Sequence, residues 1–159
     1  MRFIPSIILI AYITCSAARA EHAKINLEVK TPRDQKTAYM DQTPPAHGKN
    51  PRPVIKARAN ETINIQWMLT NIYPHKTLEN VVVHFFIAKQ EKLGQKDLPD
   101  LSGDVELESA FDMDFKPGSK AGQRLKTKIA TPGIYLIRLE TSQTQSDHEH
   151  FAAIDLVVE

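Results

Sequence analysis

His148-Glu149-His150 is the sharpest chemical pattern in this 159-residue chain. In an extended strand, residues two apart face the same way, so the two imidazoles could close on one metal ion. His84 is the first candidate for a third ligand. His75, His47 and His22 could also contribute, as could a carboxylate from Asp147. With Met40, Met68 and Met113, a copper-type ligand set is conceivable, and zinc suits the imidazoles equally. The plainer reading is a polar strand entrance, because two histidines without a third ligand more often serve structure. His84, between Val83 and Phe85, reads in the plain case as a hydrogen-bonded, partly buried histidine.

Other chemistry has less to stand on. Asp97, Asp100, Asp104, Glu106, Glu108, Asp112 and Asp114 make 97–114 acidic. Calcium needs six to eight converging oxygens, and the order here is not an EF-hand loop. A solvated acidic face is the simpler expectation. No Gly-x-Ser-x-Gly elbow, His-Glu-x-x-His pair, phosphate loop or dinucleotide fingerprint occurs, so the chain reads as a non-enzyme without a resident cofactor. Trp67, the only tryptophan, has inward parity and reads as a core plug rather than a sugar platform. Asn60-Glu61-Thr62 fits a glycosylation sequon, but chance occurrence at a strand start explains it as well.

The compartment is written at the N-terminus. Arg2 supplies a positive start, 3–14 form an apolar run interrupted by Pro5 and Ser6, and Ala18-Arg19-Ala20 places small residues before a cut at Glu21. The run falls about six to eight residues short of a comfortable membrane span. The expectation is a signal peptide over 1–20 and an exported chain, periplasmic or secreted, with no transmembrane segment. The only cysteine, Cys15, lies within that leader. A lipid-anchored cysteine wants a small residue just before it and a leucine three before. Thr14 and Tyr12 occupy those positions and argue against anchoring. The exported part then has no disulfide and rests on its apolar core. It keeps 18 of the 20 basic residues and all 19 acidic ones, because Arg2 and Arg19 leave with the signal. Such near-neutrality argues against nucleic acid as a partner.

Residues 21–159 are long enough for one domain with a real core. Alternation of apolar and polar residues predicts strands over 23–30, 61–72, 79–90, 105–115, 123–130, 134–141 and 148–159, with a short edge strand at 54–57. The 79–90 strand is apolar on both faces and should be covered on its second side. Two long loops are expected, at 31–53 with five prolines and at 91–104. The outward acids of 105–115 and the outward bases Arg124, Lys126 and Lys128 would oppose each other if those strands form a hairpin.

Seven to eight short strands split by Pro/Gly turns predict an all-β, immunoglobulin-like antiparallel sandwich. The strand ending in Thr70-Asn71, the Val81-x-Val83-x-Phe85 strand, Phe115-x-Pro117-Gly118 and Pro132-Gly133-x-Tyr135 together resemble bacterial immunoglobulin-like domains of the cell-adhesion-related type, over about residues 54–158. That resemblance implies an accessory or adhesive role and carries no catalytic residues. The expected function is an exported, non-enzymatic binding or accessory module for another envelope or secreted protein, with loops 31–53 and 91–104 as contact surfaces. The alternative is a periplasmic copper- or zinc-binding protein using His148 and His150.

Overall fold

A computed structural model describes residues 23–39, 52–143 and 146–159; the side chains of 146–149 are outside that description. The expected signal peptide, Cys15, His22, His47, Met40 and the proline-dense part of the first loop therefore lie outside the described residues. What is described is all-β. Nine strands run in chain order: β1 (Ala23–Lys30), β2 (Gln35–Tyr39), β3 (Val54–Ala57), β4 (Ile63–Asn71), β5 (Leu78–Gln90), β6 (Val105–Phe115), β7 (Lys120–Thr127), β8 (Gly133–Gln143) and β9 (Ser146–Val158).

They form a four-stranded sheet in the order β2-β1-β4-β7 and a five-stranded sheet in the order β3-β9-β8-β5-β6. The sheets pack face to face because each strand presents an apolar row. Ile25, Leu27 and Val29 on β1 and Ile63, Ile65, Trp67 and Leu69 on β4 meet Val81, Val83, Phe85 and Ile87 on β5, Ile137 and Leu139 on β8 and Ile154 and Leu156 on β9. Shifting any of these strands by one residue would turn its apolar row to water, so the pairing is fixed by burial. Trp67 lies in this core, 3% exposed and stacked on Phe111 at 6.2 Å between ring centroids.

The second face of β5 is also covered. Phe86, Ala88, Leu136 and Ala153 form a small outer cluster, onto which Leu101 and Val105 fold. A β-bulge opposite Ile87/Ala88 turns Val105 to this outer side, although simple alternation had placed it inward with Leu107. The 91–104 segment is held over the cluster by a buried carboxylate. Asp155 accepts hydrogen bonds from Gln90 Nε2 (3.0 Å) and the Gly94 amide (2.7 Å). It also lies 2.8 Å from Arg52 Nε as an ion pair, without the in-line geometry of a hydrogen bond. Arg52 in turn donates to the Gln95 carbonyl at 2.8 Å.

Four sequence expectations need correction. The 31–53 segment is not all loop: β2 occupies Gln35–Tyr39 as an edge strand on β1. A tight turn through Pro32, with the Thr31 amide on the Asp34 carbonyl at 2.9 Å, reverses the chain ahead of the other four prolines. Only Ala38 of β2 is buried, so the strand has no hydrophobic alternation to read. There are nine strands among the described residues rather than seven to eight. The sandwich is not wholly antiparallel, since β3 pairs parallel to β9. Most consequential, β6 and β7 form no hairpin: β6 pairs with β5, and β7 crosses to pair with β4 in the other sheet.

Asn71 explains the crossing. Its side chain, 1% exposed at the end of β4, donates to the carbonyls of Phe115 (3.0 Å) and Lys116 (3.2 Å), and its amide donates to the Ser119 carbonyl (3.0 Å). The β6–β7 turn is thereby fastened to the opposite sheet. β7 then fits closely against β4 because Gly122 has no side chain. A Cβ there would sit 2.5 Å from the Trp67 carbonyl oxygen. Tyr135, buried early in β8, closes another corner by donating its hydroxyl to the Thr131 carbonyl at 2.8 Å.

Candidate functional site

Because β6 and β7 belong to different sheets, their charges face opposite ways. On the outer face of the four-stranded sheet the registers Lys24–Thr70–Lys120, Asn26–Met68–Gly122, Glu28–Gln66–Arg124 and Lys30–Asn64–Lys126 run across β1, β4 and β7. Five cations stand there against the single carboxylate of Glu28. Among the described residues none of the five forms an ion pair. The lower two rows enclose a groove of about 380 Å³ lined by Glu28, Lys30, Asn64, Gln66, Arg124 and Lys126, with Ile65 and Leu125 in its floor. Such a groove offers positive charge and planar amides, the donors that orient a carboxylate-bearing chain.

The outer face of the five-stranded sheet is the reverse. Glu108, Asp112 and Asp114 project from β6, with Glu106 at the bulge, and Glu140 from β8. His84 is set among them: its Nδ1 lies 2.9 Å from Glu140 and its Nε2 2.8 Å from Glu108. Arg138 Nε also donates to Glu140, and its guanidinium lies 4.0 Å over the Phe151 ring. Burial of the His84 ring opposes protonation, but the hydrogen bonds and charges of Glu140 and Glu108 together outweigh it and raise the pKa above the ordinary histidine value. The cluster is built to hold an imidazolium.

The proposed metal ligands are placed as follows. His84 is on the outer face of the five-stranded sheet, with both ring nitrogens taken by carboxylates. His150 lies opposite Thr141 on β9, a pair on the inner-face parity with buried Leu139 and Ala152. The sheet therefore separates His84 from position 150. His148 belongs to β9, and its side chain lies outside the described residues. Among the described residues, no three of His, Cys, Asp and Glu converge in a metal-binding arrangement. No helix there is long and apolar enough to cross a membrane. Trp67 is in the core and not on a surface, and Asn60 of the sequon is exposed, with φ 64°.

The basic groove was missed in the sequence reading, which took Arg124 and Lys126 only as partners for the acids of β6. The signal was present in the alternation of β1, β4 and β7, but which strands lie side by side was not.

No protein family model matches the chain, and no curated protein matches it. Solved structures with a similar course include the C-terminal domain of Wzt (TM-score 0.46, 14% identity, over 87% of this chain and 74% of that one). A family 123 glycoside hydrolase from Clostridium perfringens aligns at TM-score 0.44 and 11% identity, over 85% of this chain and 27% of that one. The PmoD soluble domain from Methylocystis sp. ATCC 49242 aligns at TM-score 0.44 and 14% identity, over 85% and 90%. The assignment as an all-β sandwich rests on the strand pairings above.

Proposed function

We propose that the protein is a non-enzymatic binding module that works outside the cytoplasm and holds another envelope or secreted protein by an acidic segment laid across the four-stranded sheet. The observation that carries this reading is the groove itself. Lys30, Arg124 and Lys126 converge there against the one carboxylate of Glu28 and form no ion pair among the described residues, beside the amides of Asn64 and Gln66, on strands that the core keeps rigid. Unpaired cations on a rigid scaffold cost no reorganisation when an anionic segment arrives, and they steer its approach. The site lies on a sheet face, whereas the sequence had pointed to the loops. Loop 91–104 is tied down by Asp155 and serves as a cover for the outer cluster.

The test is a photo-crosslinking residue at position 66 of the full chain, exposed to an extract of the cell envelope and culture medium, with and without Arg124→Glu/Lys126→Glu. The reading requires a discrete crosslinked protein, competed by an excess of unlabelled wild-type chain and reduced at least tenfold by the double reversal. No crosslinked protein, or the same one at equal yield in the reversed variant, overturns it.

A further inference from the structure

The lateral edge where β6 and β7 lie is left open. Contacts of β2 and β1 with β9, and of β2 with β3, place that side of the sandwich over the β3/β9 edge. β7 and β6 therefore share the opposite edge, joined only by the 116–119 turn, and the Trp67–Phe111 stack bridges the sheets beside it. Among the described residues, β6 and β7 each have a strand on one side only. Eleven residues of β6 and eight of β7 thus present unpaired backbone edges. Between them the inward row is incompletely sealed. Phe111 is 37% exposed, and Leu107, Met113, Ala121 and Leu125 are only half-buried. Long free edges flanking a half-open apolar seam are a template for strand addition.

The charges say what fits. A second copy can approach this edge by either of two twofold rotations that continue the sheets. Rotation about the sheet normal sets β6 beside β6, with Glu108, Asp112 and Asp114 facing their own copies. Rotation about the strand direction sets β6 of each copy beside β7 of the other, antiparallel because the two strands run in opposite directions from their shared turn. In any register that keeps inward residues inward, the acids of β6 then stand opposite Lys120, Arg124 and Lys126, and the two apolar seams close on each other. The geometry points to a twofold dimer of this chain through the β6/β7 edge, in which the hairpin pairing absent within one molecule forms between two. Two continuous sheets of nine strands result, and the contact is closed, since each edge uses up its complement. The groove stays open to solvent in such a dimer, with Lys30, Asn64 and Gln66 unengaged, while Arg124 and Lys126 on its β7 side also face the acids of the second copy.

Sedimentation of the full chain tests this. The wild-type should shift from monomer to dimer by about 100 µM, more weakly in high salt, as mass action and screening require. Glu108→Lys/Asp112→Lys, which leaves the groove untouched, should weaken the dimer at least tenfold, as should Arg124→Glu/Lys126→Glu. An equimolar mixture of the two variants should dimerise again, because in the mixed pair both edges are complementary. Amide exchange in β6 and β7 should slow with wild-type concentration while β3, at the far edge, stays unchanged. A wild-type monomer at that concentration, a dimer indifferent to both reversals, or failure of the mixture while each variant keeps native amide protection overturns the proposal. None of these outcomes decides whether the groove takes a partner, which the crosslinking experiment reads separately.

Discussion

Removing the Asp155 carboxylate should cost far more than one surface ion pair, and the contacts set how much. The carboxylate is 1% exposed and serves three groups: the Arg52 guanidinium, Gln90 Nε2 and the Gly94 amide. Stranding a fully buried cation costs about 3–5 kcal/mol. Arg52 keeps 18% of its side-chain exposure and its bond to the Gln95 carbonyl, so part of its charge can be re-solvated. The Gln90 amide can turn to the Tyr135 carbonyl, which it already approaches at 3.4 Å, whereas the Gly94 amide loses its 2.7 Å acceptor outright. Asp155→Ala should therefore lose about 2–3 kcal/mol, a large share of the 5–15 kcal/mol available to a domain. Urea unfolding followed by the fluorescence of Trp67 measures it, at unchanged slope. A double-mutant cycle with Arg52→Ala isolates the pair. Amide exchange over 91–104 should accelerate even where the folded fraction is complete, because Gly94 is the point at which the segment is tied down. A loss below about 1 kcal/mol, the net worth of a single ordinary hydrogen bond, with unchanged exchange in 91–104, would refute the assignment of Asp155 as the anchor.

Three further outcomes are expected. His84 has a raised pKa in the folded state, so its stabilising contribution is complete below the unfolded value near 6.5 and is lost as pH rises through the folded one. Wild-type stability should fall relative to His84→Gln across that interval, and a constant difference from pH 5.5 to 9 would remove the Glu108–His84–Glu140 cluster as its cause. Gly122→Val should lower the melting temperature, at a cost of about 1–3 kcal/mol, because its Cβ would meet the Trp67 carbonyl at 2.5 Å and push β7 off β4; a neutral result would refute the close approach. Calorimetric titration of the full chain with Cu(II), Zn(II) and Ca(II) should give no tight one-to-one site under the binding-module reading. A micromolar site lost in His148→Ala/His150→Ala would replace that reading with metal handling.

The architecture was legible where alternation was strong. β1, β4, β5, β8 and the inward row of β9 carry uninterrupted apolar periodicity, and each forms a strand near the expected place. The double-sided apolarity of β5 foretold its cover, supplied by Leu101 and Val105. β2 was hidden because an edge strand with one buried alanine leaves no periodic trace. The β6–β7 relation was hidden for a different reason. A short Pro-Gly turn between two alternating strands is the usual mark of a hairpin, and nothing local distinguishes it from a turn that changes sheets. The deciding group, Asn71, sits 44 residues away from the carbonyl of Phe115 that it holds.

That one long-range clamp also decides what the surface can do. Had β6 and β7 paired within the molecule, Glu108, Asp112 and Asp114 would have neutralised Lys120, Arg124 and Lys126 locally, and each opposed pair would have contributed only about 0.2–1 kcal/mol. Sending the strands to different sheets leaves net charge unchanged but divides it into a basic face and an acidic face. Net charge sets solubility, while its distribution sets orientation and partner choice. A chain that is neutral in sum can therefore be strongly selective in direction. The same division leaves both edge strands open, and an open edge survives in solution when charge discourages the pairing of like with like. In β6 the acids repel a second β6 and leave β7 as the complementary edge. The basic groove and the open edge are two consequences of one crossing, and Asn71→Ala is the substitution that should disturb both while leaving the apolar rows of β4 and β5 intact.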